Sequence, residues 1–544
     1  MLKRTLLRTC VSAILAAAVI SSTAHADEAQ SLEELRNTVI NLLQGLVKKG
    51  VLTQEQAEAM VADAQAKAEA QAKTKAAQEE AEKGAVRVTH VPEIVRKQIE
   101  DEVRGPLRQD VTNDVVAKAK EEQWGVPGAL PDWIKNVKLY GDVRFRAEGD
   151  LYASDNAQNV YLNFNNVNSK GGIGKAGTSA LLNVSEDRYR GVGRLRLGLT
   201  ADLGNAFKVD ARIASGNAAT IGSTNQTLGN YDARWSINVD KAAVIWDPIF
   251  SNKRQEFDLR LGRFDNPFMT NNELVWDTDV TFEGLSATYA VDLFNRDPNK
   301  MERGVFLTAG AFPLQEVELS TKDKWIIGGQ LGTIIPLGTQ SSLRFSAAYY
   351  NFTHVTGVQN SPDSTLQDFT APAFVQKGNT LYDIRNDNDT STNLFALAGK
   401  YRLVNANLML DLAAFGSTHV MIGSEYVKNI GWKSSEVFAL TGQNIDARVK
   451  GYEASLSVGQ PSLKKLMDWR AFALYRYLQR DAVIDAFADS DFHLGGTDAK
   501  GYQIGFDLGL SRGAWMRLRY LSANEIDGPP LGIDVWILDL NGSF

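Results

Sequence analysis

Val137-Lys138-Leu139-Tyr140-Gly141-Asp142-Val143-Arg144-Phe145-Arg146-Ala147-Glu148 sorts its side chains by turns. One set of alternate positions holds Val137, Leu139, Gly141, Val143, Phe145 and Ala147; the other holds Lys138, Tyr140, Asp142, Arg144, Arg146 and Glu148. Successive side chains of a strand point to opposite faces, so one side of this strand wants oil and the other wants water. The dyad recurs in Arg188 to Ala201, where Tyr189, Leu195, Leu197 and Leu199 oppose Arg188, Arg190, Arg194 and Arg196. It returns around 207–213, 257–261, 285–291, 343–349, 408–414, 452–458, 469–477 and 502–510. A soluble sandwich also alternates, with its polar face outward. Here arginines stack on the polar faces along about 400 residues with no second apolar layer, the pattern of a membrane barrel with an apolar exterior and a polar lumen. A large secreted β-helix or sandwich is the alternative.

The chain before this stretch is a different object. Residues 1–26 have a basic start (Lys3, Arg4, Arg8), an apolar run Val11 to Ile20 and an Ala24-His25-Ala26 end, the pattern of a secretory signal peptide. Its removal takes the 58 Lys and Arg to 55 against 65 Asp and Glu, a net charge of −10. Such a balance argues against a nucleic-acid binder, which needs a basic footprint. Cys10 is the single cysteine and precedes the apolar run, so the exported chain has no disulfide, thiol nucleophile or cysteine metal site. No later run of about 18 apolar residues exists to form a membrane helix.

All ten Trp, sixteen Tyr and twenty-three Phe fall at or after Trp124. Residues 27–123 are expected to form a helical, coiled-coil region in the periplasm. Leu32, Leu35, Val39, Leu42 and Leu46 keep a 3-4 spacing that makes one apolar stripe and asks for a partner helix. Gly50 ends it, and Thr53-Gln54-Glu55-Gln56 restarts a helix with a capping-box pattern. Residues 62–83 are mostly Ala, Gln, Lys and Glu, good helix formers with little apolar area to bury. Residues 124–136 are a turn-rich linker in which Trp124 and Trp133 suit a membrane–water interface or packing on the next domain. The barrel occupies 137–544.

Strand counting uses parity. Upward strands are expected near 137–148, 205–214, 255–263, 303–312, 342–352, 406–416, 467–479 and 513–522. Downward strands are expected near 187–202, 233–246, 283–292, 324–335, 392–403, 449–459, 499–511 and 533–544. The total is sixteen antiparallel strands, with eighteen as the alternative; Val437 to Thr441 stays in an external loop, because admitting it alone makes the number odd. Short turns such as Leu203-Gly204-Asn205 and Val404-Asn405 then fall on the periplasmic side, and long segments near 149–186, 353–391 and 417–448 fall outside. In the last strand Trp536, Leu538, Leu540, Gly542 and Phe544 share a face, with Ile537 departing from strict alternation. This resembles the terminal strand by which bacterial barrels are taken up for outer-membrane assembly, and it makes the barrel assembly machinery an expected partner.

These residues together resemble the putative porin family of Gram-negative bacteria, outer-membrane barrels with an N-terminal periplasmic coiled coil. The matching stretches include Leu46-Val47-Lys48-Lys49-Gly50-Val51-Leu52-Thr53, Val91-Pro92-Glu93, Leu130-Pro131-Asp132-Trp133 and Gly141-Asp142-Val143-Arg144-Phe145-Arg146. Others are Leu261-Gly262-Arg263-Phe264-Asp265-Asn266-Pro267-Phe268, Asp489-Ser490-Asp491-Phe492 and Gly496-Thr497-Asp498-Ala499-Lys500-Gly501-Tyr502. The resemblance implies a passive outer-membrane channel, names no solute, and gives no cofactor. The segment around Gly50 is also similar to a short oligomerisation module called SHOCT.

Catalytic signals are thin. After the signal segment only His90, His354, His419 and His493 remain, the first in the stalk and the others in expected external loops, and nothing in the sequence ties them together. Gly171-Gly172-Ile173-Gly174-Lys175 fails as a phosphate loop because Ser169 and Ala176 stand where Gly and Ser or Thr are needed, and it is expected to be a flexible loop. Asp387, Asn388 and Asp389, or Asp489, Asp491 and Asp498, offer calcium-type oxygens, but solvated loop carboxylates are the better reading and no metal is assigned. The arginines carry more. Arg144, Arg146, Arg188, Arg190, Arg194, Arg196 and Arg212 come from the first three strands, and Arg517 and Arg519 from the strand before the last, which barrel closure brings close. They are expected to form a basic pore wall, opposed by Glu273, Asp277 and Asp279 of the third external loop, near Asp265 to Phe282. The alternative is a structural girdle in which the arginines pair with Asp142, Glu148 and Asp210. The resulting expectation is an outer-membrane porin for small hydrophilic solutes, mildly anion-selective and homotrimeric, embedded in outer-membrane lipid, with a stalk able to contact peptidoglycan. The alternative is a tethering or adhesion protein with a plugged barrel.

Overall fold

The computed structural model describes residues 135–544, apart from 249, 251–253, 295–303 and 319, together with scattered positions between 47 and 115. The chain divides into two units, Met1–Lys118 and Ala119–Phe544. In the first, the described positions are helical apart from Thr53. The signal segment, the Leu32 to Leu46 stripe and the linker tryptophans lie outside the described residues.

Alternation makes the second unit a closed barrel. Its first eight long strands are β1 (Val137–Tyr152), β2 (Arg188–Gly204), β3 (Phe207–Ser215), β4 (Ile237–Trp246), β5 (Gln255–Asp265), β6 (Thr281–Val291), β7 (Val305–Gln315) and β8 (Lys324–Pro336). The next eight are β9 (Ser342–Thr353), β10 (Arg402–Phe415), β11 (Thr418–Asn429), β12 (Lys450–Gly459), β13 (Trp469–Leu478), β14 (Ala499–Gly509), β15 (Ala514–Glu525) and β16 (Gly532–Ser543). Each pairs antiparallel with the next, and β1 pairs with β16 from Asp142 opposite Ser543 to Tyr152 opposite Ile533, which closes the sheet. Closure leaves no edge strand, the condition for crossing a bilayer with strands.

The barrel is inside-out relative to a soluble protein. Leu139, Leu261, Leu331, Tyr452, Trp536 and Leu540 stand exposed on its outer surface, while Arg146, Glu148, Glu453, Arg476, Asp507 and Asp539 are buried. The hydrophobic surface that would be a liability in water is what lipid demands.

Two expected elements are wrong, and their errors cancel in the count. The stretch expected at 392–403 is not a barrel strand up to Tyr401: it lies in the fifth long loop, where Phe395–Leu397 pairs with Leu381–Asp383 and Leu397 bridges Thr356. The chain instead runs unbroken through Val404-Asn405 as β10, turns at Gly416-Ser417, and returns as β11 through residues expected to be loop. Val404-Asn405 imitates a turn because its asparagine is polar, yet Asn405 and Asn407 face the lumen, donating respectively to Glu425 at 2.9 Å and to the Asn405 side chain at 2.7 Å. Gly416 takes the left-handed conformation, φ 68°, that a two-residue turn requires. His419 therefore sits on β11 against Asp411, 2.5 Å away, and not in a loop. Residues 434–441 form a helix inside the sixth long loop. The segment 171–175 is also not a free loop: Ile173–Ala176 is a helical turn, and the Gly174 amide donates to the Ser391 carbonyl at 2.9 Å.

Candidate functional site: a charged wall under three inward loops

The β1–β2 register sets up the wall. It places Asp142 opposite Arg196, Glu148 opposite Arg190 and Asp150 opposite Arg188, but Arg144 opposite Arg194. Three of these pairs put opposite charges face to face, which supports the register; the fourth opposes like charges, which works against it unless other partners arrive. They do arrive. Arg194 and Arg196 fork onto Asp142 at 2.8 and 2.7 Å, and Asp279 of the third loop comes to 3.4 and 3.1 Å from them. Arg144 turns aside and donates to Asn225 of the second loop, its guanidinium 4.0 Å from Asp539. Arg190 pairs with Glu148. Arg188 is exposed and has no ion pair among the described residues.

Closure adds the other side. Arg146 faces Asp539 across the β1–β16 seam, bonds it at 2.7 Å and reaches Asp491 of the seventh loop at 2.8 Å. Arg519 meets the same two acids, Asp491 at 2.8 Å and Asp539 at 3.4 Å. Arg517 departs from the expected wall: it turns toward β14 and shares Asp507 with Arg470, each at 2.6 Å. Arg212 belongs to a third group with Asp240 at 2.5 Å and Asp265 at 3.2 Å. Asp210 takes Lys241 at 2.9 Å and the Tyr140 hydroxyl at 2.6 Å, not an arginine. Most of these arginines thus have carboxylate partners, Asp142 and Glu148 among them.

Of the three loop acids, only Asp279 reaches the arginines. Glu273 accepts from the Thr278 amide and hydroxyl at 2.9 and 2.6 Å, and Asp277 accepts from the Ser490 amide of the seventh loop at 2.9 Å. Burial first, then the nearby Asp489 charge, pushes the Glu273 carboxyl up to about 7; burial and Glu273 push Asp277 upward as well.

What holds these loops inside is apolar. Leu274, Val275 and Trp276 of the third loop are buried, and the Trp276 ring lies 4.9 Å from Phe282, 5.2 Å from Tyr350 and 5.5 Å from Phe487 of the seventh loop. Phe312, Ile326, Phe352 and Leu403, from the inward faces of four strands, complete this core. Edge-to-face aromatic packing of this kind contributes about 0.5–1.5 kcal/mol per pair beyond burial. A second, smaller core beneath the seventh loop explains the irregular last strand: Ile537 faces inward with Leu521, Ile533, Val535 and Phe492. Trp536, Leu538, Leu540 and Phe544 face out. Asp489 and Asp491, weighed as calcium oxygens, each take an arginine, Asp489 holding Arg476 at 2.8 Å.

The seventh loop's contact with the arginines is not legible in the sequence. Asp491 lies 345 residues from Arg146, and no local pattern announces such a contact. Asp539 was findable: it sits on the polar face of the last strand, which closure sets beside β1.

A closed barrel with apolar side chains outside, ion pairs inside and loops tucked into the mouth defines a channel-type transmembrane β-barrel. The family described as "Putative porin" matches residues 36–544, and the chain belongs to it; the protein is an outer-membrane channel. OprB of Pseudomonas putida is 12% identical over 78% of this chain and 97% of its own, with a TM-score of 0.43. An anion-selective porin from Comamonas acidovorans is 13% identical over 75% and 99%, with a TM-score of 0.39. The outer-membrane channel DcaP of Acinetobacter baumannii is 13% identical over 75% and 97%, with a TM-score of 0.37. No curated protein sequence matches this chain.

Proposed function

We propose that the channel passes small hydrophilic solutes by diffusion, with a modest preference for anions. The observation that carries the ionic part is the uneven pairing of the wall. Arg188 has no ion pair among the described residues, and Arg144 spends its hydrogen bond on a neutral amide with Asp539 no nearer than 4.0 Å, while the other arginines hold their carboxylates more closely. A passing anion supplies what these two lack. The acids and arginines standing side by side also set a transverse field that orients dipolar solutes. Stepwise ohmic openings in a planar bilayer, with a reversal potential in a KCl gradient of anion-favouring sign, are the expected result. Liposome swelling with sugars, amino acids and organic acids identifies the solute.

One observation favours the second reading, a plugged tether: the third and seventh loops share a buried core inside the barrel. An electrically silent barrel would support it against the first. In the same proposal three copies assemble through the heptad stripe of the stalk, which reaches through the periplasm toward peptidoglycan. The outward side chains of the last strand, Trp536, Leu538, Leu540 and Phe544, engage the barrel assembly machinery.

A further inference from the structure

The lipid-facing surface of β10 to β14 has a charge pattern that the channel function does not use. Its outward positions are apolar, aromatic or small along the strands, and at the long-loop ends they become cations: Arg402 opens β10, Lys428 is next to last in β11, Lys450 opens β12 and Lys500 is second in β14. All four are exposed. Lys428 and Lys450 are direct cross-strand partners, and Val404 opposite Lys428 makes Arg402 its diagonal neighbour. Like charges placed directly opposite destabilise a sheet, and no carboxylate occupies an outward position on these five strands. Lys400 and Lys433 in the adjoining loops are different, since both converge on Glu436 at 2.7 and 2.9 Å. Among the described residues the four strand cations have no ion-pair partner.

Just below them runs an aromatic row. Tyr426 is opposite Tyr452, Tyr452 is opposite Tyr477 with their rings stacked 5.2 Å apart, and Tyr477 is opposite Lys500. Tyrosines at this level mark the boundary between hydrocarbon and headgroups. Cations one step above it stand where lipid phosphates lie, and their apolar stems can follow the barrel surface while the charged ends reach upward. We propose that Arg402, Lys428, Lys450 and Lys500 bind the phosphates of an anionic lipid headgroup in the outer leaflet. The bound phosphate relieves the Lys428–Lys450 repulsion and fixes this side of the barrel toward lipid.

Native mass spectrometry of the full-length protein in detergent, titrated with diphosphorylated lipid A or its dephosphorylated counterpart, tests this. The wild type should retain only the phosphorylated lipid. Lys428→Gln and, independently, Lys500→Gln should each weaken retention about fivefold, the value of one cation near an anionic surface. Lys433→Gln should leave retention unchanged. Heat-dependent gel mobility confirms that each variant remains a folded barrel. Equal retention of both lipids, or undiminished retention in both variants, overturns the proposal. So does displacement of the lipid by inorganic phosphate at matched concentration, which marks a free-anion site, or association of copies through this face that phosphorylated lipid fails to disperse.

Discussion

Asp491 stands 2.8 Å from Arg146 and also 2.8 Å from Arg519, so one carboxylate of the seventh loop ties that loop to both sides of the barrel seam. Asp539 holds the same two arginines from the last strand. The wall is therefore an ion network whose outermost member is carried by a loop, and the loop's position is an electrostatic property of the lumen as well as a packing one.

Asp491→Asn should release the seventh loop without opening the seam. Breaking a buried pair costs about 3–5 kcal/mol, and the low end is expected here because Asp539 remains on both arginines. Single-channel conductance should rise and limited proteolysis should cut within 479–498. Unchanged conductance and protease resistance would mean that the apolar core alone keeps the loop in place.

Acidity should tighten the loops. Burial alone would raise the Asp491 carboxyl, but Arg146 and Arg519 hold it far below the ordinary range, so this tie survives mild acid. Glu273 and Asp485 behave oppositely: burial lifts both to about 7, with the Asp489 charge adding to it at Glu273 and the Asp481 charge at Asp485. A released loop would titrate in the ordinary carboxylate range, about 4. Between that value and 7 the tucked loops bind protons that released loops do not, so stability of the tuck falls as pH rises through this window. Conductance should be larger at pH 8 than at pH 5, and Glu273→Gln combined with Asp485→Asn should hold it near the acid value throughout. A flat profile in the wild type refutes this.

The division between what sequence could and could not tell follows from the range of each interaction. Period-two patterning is local, so β1, β2 and β16 are legible from their own residues. Asn405 and Asn407 misled because polarity in mid-strand has the same one-dimensional signature as a turn, and only the partner Glu425 on the neighbouring strand distinguishes them. Asp279 was legible through loop order alone. The inward faces of β6 to β10 were not, because Phe282, Phe312, Ile326 and Tyr350 break the polar-lumen rule to receive a loop core assembled from residues more than 200 positions apart, such as Trp276 and Phe487.

The seam should depend on a missing side chain. Gly141 exchanges backbone hydrogen bonds with Phe544 at 3.2 and 3.1 Å, and a Cβ on Gly141 would lie 2.6 Å from the Arg196 carbonyl and 2.8 Å from the Phe544 ring. Gly141→Leu should cost about 1–3 kcal/mol, as overpacking does elsewhere. A lower urea midpoint of the heat-modifiable band is the expected readout, and a midpoint equal to wild type would show that the seam yields freely.

Removing Arg194 and Arg196 should turn a nearly neutral part of the wall negative. In the wild type these two cations stand against Asp142 and Asp279, a nearly neutral group. Arg194→Ser with Arg196→Ser leaves both carboxylates without those partners. Charges act on a permeating ion only within a Debye length, roughly 8 Å at physiological salt, so acids on distant loops do not obscure the change. The anion-to-cation permeability ratio from the reversal potential in a KCl gradient should fall, most strongly at low salt. Adding Asp279→Asn to the double variant should recover part of the loss, because it removes one of the two uncovered carboxylates. An unchanged reversal potential would place the narrow part of the pore elsewhere, and a full loss that Asp279→Asn does not touch would assign the whole effect to Asp142 on β1.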